Sequence, residues 1–217
     1  MNYLLKIIFS FIILNTVSIA QTHITTDTEW TTDQILTGTV IVDAGATLTI
    51  AAGVLVQTFF VDTDADGIGN VEIEVLGGLK INGTPANPVL FKPYETTTNK
   101  NYWAGIVINS TSDNDTLNFF EIHNAYIGLN ALSVISIKGC KIYNTGYYGI
   151  SIQHDENLYT TLNGIEVYNG DGIGIYLNGL TSINWGIIDS FGSHGIYVHS
   201  GGAGNLTNVD IQNNGGA

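Results

Sequence analysis

Three stretches of this chain combine residue types and spacings that chemistry could use. The first is Asp62-Thr63-Asp64-Ala65-Asp66-Gly67, where carboxylates on alternate residues aim oxygens at one centre and Gly67 permits the sharp bend that lets them converge. Calcium loops begin this way, so Asp62, Asp64 and Asp66 are candidate ligands for one calcium ion. The match stops short of a helix-loop-helix site. Its twelfth position, where a bidentate Glu is needed, is Ile73, with Glu72 and Glu74 on either side. A solvated acidic turn is the plain alternative.

The second stretch is Gln153-His154-Asp155-Glu156-Asn157, in which His154 lies beside two carboxylates. Asp155 and Glu156 with His154 have the types for acid-base work, although adjacent residues point in different directions and a polar surface loop is the commoner explanation. Asp171 and His194, each beside glycines, are the remaining catalytic candidates, with a turn as their structural explanation. The third set is aromatic: Tyr143, Tyr168, Tyr176, Trp185 and Tyr197 occupy outward positions of a repeat and could present rings to sugars. Tyr is also simply a favourable strand residue.

The repeat that must position these residues is plainest in Leu162 to Leu177. An aliphatic residue is followed by two free positions, then apolar-x-apolar-x, a small polar residue, a short turn, and Gly-apolar-x-apolar. The leading aliphatic falls at Leu117, Ile137, Leu162, Ile183 and Leu206, in steps of 20, 25, 21 and 23 residues. Steps of that size mark a solenoid. Closing polar residues are Asn124, Asn144, Asn169, Ser190 and Asn213, and the second strand is expected to begin at Gly128, Gly149, Gly174 and Gly195, with Gly105 as an earlier member. Before this, short alternating segments bounded by glycines, such as Thr47-Leu48-Thr49-Ile50, read as strands. One rung buries too little to offset the ordering of about 20 residues, so stability belongs to the stack. Phe120, Ile122, Ile142, Ile165, Val167, Ile188, Val209 and Ile211 are expected inside, and Glu121, Lys141, Glu166 and Tyr168 outside.

Residues 1–20 read as a signal peptide: Lys6 precedes the apolar run Ile7 to Leu14, and small residues stand at Ser18 and Ala20. Residues 21–217 are then one exported domain, secreted or displayed on the cell surface, with no segment apolar enough over about 20 residues to span a bilayer. The formal net charge is −13, and loss of Lys6 makes the mature chain more negative. Arg is absent, which argues against nucleic acid as a partner. A single cysteine, Cys140, excludes an internal disulfide.

Gly83-Thr84-Pro85-Ala86-Asn87-Pro88-Val89-Leu90-Phe91, the Trp103-Ala104-Gly105-Ile106 strand and the Asn-turn-Gly-Ile rungs together resemble secreted bacterial right-handed parallel β-helix repeat proteins of the pectin-lyase-like group. The resemblance implies an all-β, right-handed parallel β-helix from about Trp30 to Ala217. It leaves function open, because that group includes polysaccharide lyases, glycoside hydrolases, adhesins and surface proteins without chemistry. Asn169-Gly170-Asp171-Gly172 and His194-Gly195 look like fragments of the motifs of pectin-degrading hydrolases, without the partner acid pair or the Arg-x-Lys segment. The expected role is a structural or adhesive module with glycans as partners; the alternative is a polysaccharide lyase or hydrolase. The chain ends one residue before the next expected rung glycine, which predicts an N-terminal fragment of a longer β-helix whose last rung is uncapped and prone to end-to-end self-association.

Overall fold

The computed structural model describes residues 21–110, 115–154 and 159–216. The expected signal peptide therefore lies outside the described residues. The chain opens with three turns of three short strands each. These are β1 (Thr22–Ile24), β2 (Thr28–Trp30) and β3 (Gln34–Leu36); β4 (Val40–Val42), β5 (Thr47–Ala51) and β6 (Leu55–Thr58); and β7 (Glu72–Val75), β8 (Gly78–Asn82) and β9 (Val89–Pro93). After β10 (Trp103–Ile108) long and short strands alternate: β11 (Thr116–His123) and β12 (Ala125–Ala131), then β13 (Ser136–Tyr143) and β14 (Tyr148–Ile152). The series continues with β15 (Tyr159–Gly170), β16 (Ile173–Leu177), β17 (Leu180–Phe191), β18 (Ile196–Val198) and β19 (Ala203–Gln212).

Every pairing of these strands is parallel. One sheet runs β1-β4-β7-β10-β12-β14-β16-β18, the other β2-β5-β8-β11-β13-β15-β17-β19, with β3, β6 and β9 extending the second sheet beside β11. The chain is a right-handed parallel β-helix, the hand that parallel crossovers adopt. The switch from three strands per turn to two occurs at β11. Its Thr116–Asn118 half pairs with β8 and its Phe120–Ile122 half with β9, so one bent strand replaces two joined by a loop.

The bend is a single residue in the left-handed conformation, repeated rung after rung: Phe119, Gly139, Gly164, Trp185 and Asn208, with φ between 44° and 76°. It explains the two free positions of the repeat. A left-handed residue shifts the phase of alternation, so Leu162 and Ile165 both point inward although three apart, and both are fully buried. A second left-handed column closes each long strand at Asn124, Asn144, Asn169, Ser190 and Asn213. Asn tolerates this conformation through its short polar side chain. Amides of this column link rungs and backbone: Asn169 Nδ2 donates to Asn144 Oδ1 at 2.6 Å, and Asn124 Nδ2 donates to the Asn99 carbonyl at 2.9 Å.

The core fills the space between the sheets. Phe120, Ile122, Ile142, Ile165, Val167 and Ile188 are buried as expected. Val209 is only partly buried and Ile211 is 44% exposed, because no further described strand covers β19. Gly128, Gly149 and Gly174 lie within the short strands rather than at their starts, whereas Gly195 immediately precedes β18. At Gly149 an added Cβ would collide with Val167 Cγ1, and at Gly174 with Ile188 Cγ2, so the close approach of the two sheets requires glycine there. Gly105 does not belong to this column. It pairs with Ile127 at a β-bulge, one residue out of step with Gly128.

Candidate functional site

Each of the described catalytic candidates is hydrogen-bonded to a neighbouring side chain. His154, expected in a surface loop, is 9% exposed: its ring lies against Gly179, and Nε2 shares a 2.9 Å hydrogen bond with Thr160 Oγ1. Asp155 and Glu156 lie outside the described residues. Asp171 accepts a 2.7 Å hydrogen bond from Lys100 Nζ, which also donates to Asn169 Oδ1 at 3.2 Å, so a lysine from far upstream clamps this turn. His194 Nδ1 is 2.8 Å from Ser193 Oγ, and its ring meets Tyr197 edge-on at 5.5 Å. Cys140 is buried, and burial pushes its thiol up to about 12, leaving it protonated and inert.

Asp62, Asp64 and Asp66 do converge, with carboxylate oxygens all within 4.8 Å of one another. They are the group among the described residues that could hold a divalent cation. The loop is partly organised by its own hydrogen bonds. Asp62 Oδ2 accepts from Gly67 N–H at 3.0 Å, and Asn70 Oδ1 accepts from Thr63 N–H at 2.6 Å. Partial burial raises the Asp62 pKa, but backbone N–H groups of Gly67, Ala65 and Asp66 outweigh it and hold the carboxyl below its usual range. Asp62 Oδ1 is shielded from solvent without a hydrogen-bond partner.

The five aromatic candidates fall on three different faces. Tyr143 and Tyr168 stack at 5.4 Å on the outside of the second sheet, where Tyr168 Oη donates to Glu166 and Lys141 Nζ pairs with Glu166, both at 3.2 Å. Burial, with Glu166 nearby, pushes the Tyr168 phenol up to about 12. Tyr176 and Tyr197 stack at 5.8 Å on the first sheet, in a longer ladder with Tyr148, Tyr147 and Tyr126. Sequence reading missed these last three, because their register comes from turns of variable length. Ring planes in the ladder lie 8° to 30° apart, so the rings cover one another's faces and turn edges to solvent. Trp185 stands alone at the bend between β17's two halves, 67% exposed.

The comparisons agree with this architecture. The pectate-lyase-like β-helix domain family matches residues 20–130, just over half of the chain. This chain belongs to that family. The pectate-lyase-like helix continues beyond the matched stretch without a break, since β12 pairs in register with β14 and so on through β19. No curated protein and no solved structure matches the chain. No helix among the described residues is long and apolar enough to cross a membrane.

Proposed function

We propose that this chain is a non-catalytic β-helix module of an exported protein, with a structural or adhesive role at the cell surface and glycans as its partners. The observation that carries this reading is the engagement of the described acid-base candidates: His154 is packed inside, Asp171 is clamped by Lys100, and His194 is tied to Ser193. A general acid or base must reach a substrate proton; His154 is packed away from one, while Asp171, its side chain 67% exposed, is occupied by the Lys100 ion pair. The excess of carboxylates and lack of Arg favour neutral partners over polyanions. The test is incubation with acidic and neutral polysaccharides while reducing ends and unsaturated products are followed. No turnover is expected; turnover abolished by Asp171→Asn or His194→Ala establishes a lyase or hydrolase instead.

Calcium at Asp62, Asp64 and Asp66 is part of the same proposal, supported by their convergence and by the unpartnered Asp62 Oδ1. An ion there would neutralise three mutually repelling carboxylates and fix the loop before β7. Millimolar calcium is expected to raise the melting temperature of the parent and not that of Asp64→Ala. Identical melting with calcium and with chelator removes the site.

A further inference from the structure

We propose that the bend of the long strands forms a binding groove for a neutral linear oligosaccharide, held between Phe119 and Trp185. This rests on the reading of the chain as a glycan-binding module, and it names the site. Two adjoining cavities, of about 240 and 370 Å³, follow the bend and share Gly164 and Glu166. Phe119 lines the first and Trp185 the second. Thr84, Pro85 and Pro88, from the loop between β8 and β9, wall the first.

The column of left-handed residues supplies the floor. The Phe119 ring lies against Gly139, while Gly164 is bare, the nearest atom to a Cβ built there being Gly139 Cα at 3.7 Å. Phe119 and Trp185 are three rungs apart, about 14 Å at a strand spacing of about 4.8 Å. Each rung advances by close to the length of one sugar in an extended chain, so a short oligomer laid along the helix axis meets a ring, a bare glycine and a second ring.

Trp185 is the residue that the scaffold does not explain. Its backbone is left-handed at φ 62°, where a bulky side chain is strained and where Gly139 and Gly164 of the same column avoid the strain. Phe119 bears the same strain but packs on Gly139 beneath Lys138, whose Nζ lies 5.8 Å from the ring centroid. Trp185 gains no such burial. A strained, exposed indole beside an open cavity is placed to meet a ligand. The groove's charge selects against uronates: Lys141 and Glu166 pair with each other, which leaves the carboxylates of Glu121 and Asp210 in its lining.

The experiment is calorimetric titration of the full chain with short manno-, xylo- and cello-oligosaccharides, with oligogalacturonates as charged comparators. At least one neutral series is expected to bind, more tightly than the uronates. Trp185→Gly should weaken it about tenfold or more without lowering the melting temperature, because glycine relieves the left-handed strain. Gly164→Asn, which keeps the left-handed backbone but fills the floor, should weaken it similarly. Binding undiminished in both variants, tighter binding of uronates, or no binding of any neutral series overturns the groove. Undiminished binding without turnover leaves the module reading standing, whereas turnover removes that reading as well.

Discussion

At the scale of single residues, neighbours on one strand have opposite fates. Ile165 is fully buried, whereas Glu166 lies on the outer face beside Lys141. Ile165→Asp is expected to cost roughly 3–5 kcal/mol by burying an unpaired carboxylate, and Glu166→Lys less than about 1 kcal/mol; urea midpoints measure both. Asp115 gives a pH signature. It is 4% exposed, and burial raises its pKa against hydrogen bonds from Leu79 N–H and Ser110. A carboxyl with a raised folded pKa favours the folded state fully below its unfolded value, and that contribution is lost as pH rises through the folded value. Burial and the Glu74 charge raise Glu72 in the same direction. The Asp115 contribution to stability should therefore fall as pH rises above the usual carboxylate range, and Asp115→Asn should flatten that part of the profile, as urea unfolding at a series of pH values would reveal. A profile unchanged by the substitution refutes the assignment.

Among the elements, the two left-handed columns do most to shape the helix. Asn169 combines a left-handed backbone with a side-chain link to Asn144 and a contact to Lys100. Asn169→Ala should cost about 1–2 kcal/mol, since it adds backbone strain and removes a rung-to-rung hydrogen bond. Asn169→Gly should cost less, because only the hydrogen bonds are lost. Thermal unfolding that ranks glycine below alanine would show that side-chain volume, not backbone conformation, sets the turn. Gly149 has a different reason for its identity: its φ is ordinary, and it is the Val167 side chain that leaves no room for a Cβ.

For the whole molecule, stability accumulates rung by rung, and each rung is shielded by the next. Among the described residues β19 pairs with β17 on one side, and Leu206 and Ile211 are 47% and 44% exposed along it. An open parallel edge with apolar residues recruits strands. In the isolated 217-residue polypeptide, concentration-dependent end-to-end association is expected by light scattering, and Ile211→Lys with Leu206→Lys should abolish it. A monomer at high concentration whose β19 amides resist hydrogen exchange contradicts this.

The sequence by itself determined the solenoid, its rung length, the buried positions of the rungs up to β17 and the turn asparagines, because these follow from periodicities that each rung repeats within its own residues. Asp62, Asp64 and Asp66 were legible together for the same reason, being local in sequence. What only the tertiary structure decided depends on contacts between rungs. Stacking brought Lys100 to Asp171, joined Tyr126, Tyr147 and Tyr148 to the ladder of Tyr176 and Tyr197, and displaced Gly105 from the glycine column by a bulge. It also separated Trp185 from the tyrosines with which its outward position had grouped it, since one left-handed residue turns the strand through a corner, a change of direction that alternation of apolar residues records only as an extra position.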